Sequence, residues 1–170
     1  MGKTTITSVL LFVLLIFLQV WLFNKIHLFG LATPLLYIYF FIKLPVTMSR
    51  NWVLILAALM GFILDIFDYT LGMNMLALVI IGFLRQFILN IFAPRDIFEN
   101  YQPSFSTFGN MLFLRYAATV ILLYSLIFFS IDAANFFNPG RILLKAVSSS
   151  LLTLLLVYAF ESLNINSLKQ

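Results

Sequence analysis

From Ile6 to Phe23 the chain is apolar almost without interruption and carries no charge. A bilayer's hydrocarbon core, ~30 Å thick, is crossed by a helix of about 20 such residues. Similar runs recur along the sequence, separated by short stretches that hold most of the charges. Composition makes the same demand: 63% of the 170 residues are hydrophobic and 9% charged, against ~25% charged in soluble chains. With a mean hydropathy of +1.08, such a chain has no means of covering a water-facing surface, since a small soluble domain exposes much of itself. A soluble enzyme, a nucleic-acid-binding domain and a disordered tail are excluded. No segment left over is long enough for a folded module outside the bilayer. The expectation is an all-α polytopic membrane protein, a single integral membrane domain over residues 1–170.

Six transmembrane helices account for the pattern, over about 5–23, 26–43, 52–66, 72–92, 109–130 and 140–160. Met1-Gly2-Lys3 before the first run resembles the start of a signal peptide, but the run is too long and no small-residue cleavage site follows. It reads as an uncleaved span. The second span is interrupted by Gly30 and by Thr33-Pro34 and stopped by Pro45. Thr as a cap with Pro at the first helical position starts a helix well. The span is therefore either a kinked helix from about Ile26 or a half-helix continuing a re-entrant stretch, and the third span is also short. Between spans four and five, residues 94–108 form the longest polar stretch, in which Phe98, Tyr101, Phe105 and Phe108 recur every three or four residues. That spacing suits an amphipathic piece on the cytoplasmic interface, its aromatics dipping into lipid.

The net charge of +4 reads as a topology signal and not as a nucleic-acid footprint. If the termini are cytoplasmic, Lys3, Lys43, Arg50, Arg95 and Lys169 lie inside. Lys25, Arg141, Lys145 and the carboxylates Asp65, Asp68 and Asp132 lie outside. That bias favours both termini inside. The chain has no cysteine, so neither a disulfide framework nor a Cys-based metal or haem site is open to it, and no cofactor is expected. His27 stands alone at an interface. No pair of intramembrane carboxylates forms a proton relay and no Gly-rich phosphate loop is present, so the parts of an enzyme are missing.

Charges inside apolar runs are costly and mark either pairing or snorkelling at a helix end. Arg85 sits two-thirds along span four, Arg115 about two turns into span five, and Lys145 near the outer end of span six. Each is open to both readings, as a polar contact to a partner or another helix or as a snorkelling chain. Ala57, Gly61 and Asp65 share one face of span three at i, i+4 and i+8. A small-xxx-small face lets another helix approach closely. Its carboxylate ends at the reversal Thr70-Leu71-Gly72, where it could accept N–H groups at the start of span four, a helix end that favours an anion. The alternative is a solvated loop carboxylate, the reading preferred for Asp68. Pro34 is expected beside Gly61.

The stretch Gly61-Phe62-Ile63-Leu64-Asp65, continued to Gly72-Met73, resembles the G-x-x-x-D…(x-L)G signature of MreD, the bacterial rod-shape-determining membrane protein family. Pro34-Leu35-Leu36-Tyr37 before a short helix, Leu44-Pro45, and Arg85 after Gly82 are also similar to it. The order of spans and the chain length fit throughout. The resemblance implies a non-enzymatic inner-membrane component of the cell-wall elongation complex. It implies an MreC-like single-span partner. Through that partner it implies links to MreB filaments, a RodA-like transglycosylase and a penicillin-binding transpeptidase. It also implies a fold similar to the substrate-binding subunit of energy-coupling-factor transporters. That similarity supplies the alternative, a vitamin- or metal-capturing transporter subunit. Against it, the first span lacks an Ala-xxx-Ala docking face and the outer loops have few side chains able to hold a polar ligand.

Overall fold

The computed structural model describes residues 2–21, 32–70, 72–92, 102–133 and 139–167. Helix makes up 85% of them and none forms a strand, so the fold is all-α. In chain order the helices are α1 (Gly2–Trp21), α2 (Ile38–Lys43), α3 (Arg50–Asp68), α4 (Met73–Phe92), α5 (Phe105–Phe108), α6 (Asn110–Asp132) and α7 (Pro139–Ser167). Among the described residues, four stretches are long and apolar enough to cross a membrane: α3, α4, α6 and the Pro139–Ser162 part of α7. They match four of the six expected spans. The described apolar part of α1, Ser8–Trp21, is shorter. Span three is less short than expected: its 19 residues rise ~28 Å.

α3 shows why these runs pack as they do. Val53, Ala57, Met60, Gly61, Leu64 and Asp65 make its buried stripe, spaced for one helical face. Trp52, Ile55, Leu59, Phe62 and Ile66 are exposed on the other side. Both faces are apolar, which water would not tolerate and lipid does. α3 packs on α4, α4 on α6, and α6 on α7, while α1 lies against α2 and α3. One end of this bundle gathers Lys43, Arg50, Phe92, Phe105 and Glu161. The other gathers Asp65, Asp68, Met73, Asp132 and Lys145.

The second span departs from a simple helix. The helix expected from Pro34 begins only at Ile38 and lasts six residues. Before it, Leu35–Tyr37 form tight turns whose carbonyls accept from the N–H groups of Ile38, Tyr39 and Phe40. Thr33 does not cap a helix: the N–H groups its side chain would accept, those of Leu35 and Leu36, go to Thr153 and Gln19, and its own N–H goes to Ser149 of α7 at 3.0 Å. A half-helix after irregular backbone describes residues 33–43; 26–31 lie outside the described residues. Pro34, expected beside Gly61, is buried with its carbonyl on Gln19 of α1.

The interfacial piece also differs. Ser104 and Thr107 form a reciprocal capping box that opens the one-turn α5, and this turns Phe105 and Phe108 inward. Phe105 packs edge-on to Phe113 at 5.1 Å and Phe108 lies 5.9 Å from Tyr116. Both rings are buried in protein. Residues 94–101 lie outside the described residues.

Candidate functional site

The densest polar cluster joins α3 to α4. α3 ends at Tyr69 in the left-handed region, φ 54°, with its N–H returned to the Asp65 carbonyl. Gly72 then takes φ +75°, a turn that glycine makes without strain. Gly72 stands where a capping side chain would be and has none to offer, so the first N–H groups of α4 need an outside acceptor. Asp65 supplies it. Its Oδ1 accepts from Asn74 N–H at 2.9 Å and its Oδ2 from Met75 N–H at 3.0 Å. Oδ1 also accepts from the Thr70 hydroxyl and from Asn74 Nδ2. A buried carboxylate spread over that many donors, at the positive end of a helix, carries its charge at little cost. Gly61, one turn back, makes the approach possible. A Cβ there would sit 2.6 Å from Met75 N and 2.9 Å from Asn74 C, both backbone. Ala57 lies against Gly82 of α4, 3.5 Å from where a Cβ would be. Gly61, Asp65 and Gly72 thus converge on one helix junction, and Ala57 lines the same helix pair farther along, against Gly82.

From that junction a hydrogen-bonded chain runs into the bundle. Tyr37 donates to Asn74 Oδ1 at 3.0 Å and lies 2.7 Å from the Tyr124 hydroxyl. Tyr37 has one proton and gives it to Asn74, so Tyr124 is the donor of the pair. Asn74 Nδ2 also reaches Asp68 at 3.3 Å, which is half-buried and engaged where the sequence suggested solvation.

A second set of contacts suspends the irregular part of span two. Gln19 of α1 donates to the Pro34 carbonyl and accepts from Leu36 N–H at 3.2 Å. Thr153 of α7 accepts from Leu35 N–H at 3.0 Å. Buried backbone that leaves the helix must be satisfied by its surroundings, and here side chains from two helices do so.

The third cluster lies at the basic end. Arg85, 2% exposed, donates Nε to the Phe41 carbonyl at 2.9 Å and Nη2 to those of Leu44 and Pro45. The carbonyls at the C-terminal end of α2 have no following turn of helix to donate to them, and the guanidinium supplies the missing donors. Glu161 of α7, 1% exposed, binds Lys43 at 3.0 Å, the Tyr39 hydroxyl at 2.6 Å and Phe105 N–H at 3.2 Å.

Of the remaining candidates, Lys145 is half-buried and 3.8 Å from Asp132, which ties α6 to α7 at the acidic end. Arg115 is exposed on α6, apart from these clusters. Lys25, His27, Arg95 and Lys169, and the side chain of Lys3, lie outside the described residues. Asn74, Tyr37, Tyr124 and Glu161 were not foreseen. Glu161 had a usable signal, since no other acidic residue follows Asp132. Asn74, two residues after Gly72 at a helix start, had a weaker one. No protein-family model, curated protein or solved structure matches the chain.

Proposed function

We propose that this chain is a non-enzymatic membrane scaffold of the MreD type, acting in bacterial cell-wall elongation. It would cross the inner membrane six times, with α1 and the broken span as the first two crossings and both termini in the cytoplasm. It would hold an MreC-like single-span protein and, through it, connect MreB filaments to a RodA-like transglycosylase and a penicillin-binding transpeptidase. The observation that carries this reading is how the residues of the MreD-like stretch are used. Gly61, Asp65 and Gly72 are engaged in joining two helices, which suits a part whose task is to hold shape for a partner. The similarity to the energy-coupling-factor substrate-binding fold belongs to the same reading. A transporter subunit would need polar groups open to its cargo, and those of the broken span that face Gln19, Ser149 and Thr153 are engaged by them.

The test is co-purification in mild detergent from a rod-shaped bacterium. A stoichiometric single-span partner with an external domain is expected. Recovery of a pair of ATPases with no such partner would overturn the scaffold in favour of the transporter subunit.

A further inference from the structure

Among the described residues, the Lys43 ammonium gives one hydrogen bond, to Glu161, and lies over the Tyr39 ring. Beside it, between α1, α2 and the segment before α5, is a crevice of ≈ 80 Å³ lined by Ser8, Leu11, Phe40, Lys43 and Gln102. A water-sized group needs roughly 10–15 Å³ by this measure, so the crevice admits a polyatomic group. We propose that it binds a phosphate oxyanion, and that the phosphate of a lipid headgroup is the occupant.

A lysine ammonium has three N–H donors, and Glu161 Oε1 takes one of them at 3.0 Å. The Lys43 side chain is 11% exposed and Glu161's is 2%. Glu161 also accepts from Tyr39 and Phe105, so its charge is spread over protein donors behind Lys43. Lys43 lines the crevice as the positive member of the pair, and Gln102, which also lines it, carries an amide NH2 that can serve as a second donor. Leu11 and Phe40 supply an apolar lip of the kind a lipid's glycerol and upper chains would contact.

Depth selects the source. From Pro139 to Glu161, α7 rises ~33 Å, slightly more than the ~30 Å hydrocarbon core. With Pro139 at one surface, Lys43 and Glu161 therefore stand at the phosphate level of the opposite leaflet. This inference does not rest on the scaffold reading.

The full chain, delipidated in detergent, is titrated with phosphatidylglycerol, with a diacylglycerol of the same chains, and with inorganic phosphate. Thermal unfolding and native mass spectrometry are the readouts. Phosphatidylglycerol is expected to raise the unfolding temperature and to add a bound lipid, and diacylglycerol to do neither. A rise with inorganic phosphate alone supports the oxyanion site and assigns it to a free ion. Lys43→Gln would strip Glu161 of its cation, so the variants are Gln102→Leu, which removes a donor, and Leu11→Trp, which fills the space. Gln102→Leu should weaken lipid binding about fivefold, the weight of one hydrogen bond. An equal shift from diacylglycerol, or wild-type affinity in both variants, would overturn the proposal. The diacylglycerol comparison needs only the wild-type chain, so it holds even where a variant does not fold.

Discussion

Gly61 and Gly82 line the same helix pair, yet a methyl group means different things at each. At Gly61 it would run into the backbone at the start of α4, which cannot move without pulling Asn74 and Met75 off Asp65. At Gly82 it would meet Ala57 Cβ at 3.5 Å, an ordinary contact. Gly61→Ala is therefore expected to destabilise by about 1–3 kcal/mol, the cost of overpacking. Gly82→Ala should be neutral or gain up to ~1 kcal/mol, because glycine is a poor helix former. Thermal unfolding of the two variants in one detergent decides it, and equal losses would mean that the close approach is not where the structure puts it. Asp65→Asn keeps the shape and one acceptor oxygen but turns an NH2 toward a backbone N–H. It should cost about 1.5–3 kcal/mol, the range for hydrogen bonds to a charged group. An unchanged melting temperature would leave Asp65 without the role its contacts describe. This junction was legible in the sequence because it is local. The small residues and the carboxylate lie on one helix at helical spacing, and the N–H groups they serve start the next helix a few residues on.

At the scale of the element, the broken second span was only half legible. Pro45 marked its end correctly, since proline cannot continue a helix. Thr33-Pro34 pointed to a start that the fold does not use. The reason is distance in sequence: Thr33 N–H pairs with Ser149, 116 residues away, and Leu35 N–H with Thr153, 118 residues away. Local propensity cannot see a competing acceptor that arrives from the last helix. The long spans read well for the opposite reason. Their length and strongly apolar composition, with few charges in each, fix them whatever they pack against. The suspended backbone gives a sharp expectation. Gln19→Leu strips the Pro34 carbonyl of its donor and Leu36 N–H of its acceptor, at about 1–3 kcal/mol for each buried group left unpaired. Thr153→Val, nearly the same shape, should lose about 1–3 kcal/mol by leaving Leu35 N–H unpaired, and it also removes the hydroxyl's bond back to the Ser149 carbonyl. Ser130→Ala is the control. Its hydroxyl is exposed and bonds only back to the Leu126 carbonyl among the described contacts, so it should stay within about 0.5 kcal/mol of wild type. If all three variants melt together, the span is held by packing and not by these side chains.

On the scale of the whole molecule, the described charges divide unevenly between the two ends of the bundle, although Glu161 sits at the basic end and Arg141 and Lys145 at the acidic one. Lys43, Arg50 and Arg85 cluster with the carbonyls and rings of one end, with Arg50 stacked 3.5 Å over the Phe83 ring. Asp65, Asp68 and Asp132 lie at the other, together with Lys145. Arginine and lysine near the ends of spans are retained on the cytoplasmic side during insertion, while acidic residues have little influence. The basic end is therefore expected to face the cytoplasm. Arg85 and Lys43 strengthen the case, because each is locked to the protein and cannot move to the opposite surface by snorkelling. The chain has no cysteine, so single cysteines report cleanly. Cysteine at Asn110 or in place of Arg50 should resist an impermeant thiol reagent applied to intact cells and react once the membrane is opened. Cysteine in place of Asp68 or Asp132 should react from outside. Asp68 is half-buried and bonded to Asn74, so Asp132, which is exposed, is the better probe. Labelling at residue 110 from outside would invert the molecule. It would place the Lys43 crevice in the outer leaflet and move the Asp65 junction to the cytoplasmic side, where the proposed scaffold would meet a different set of partners.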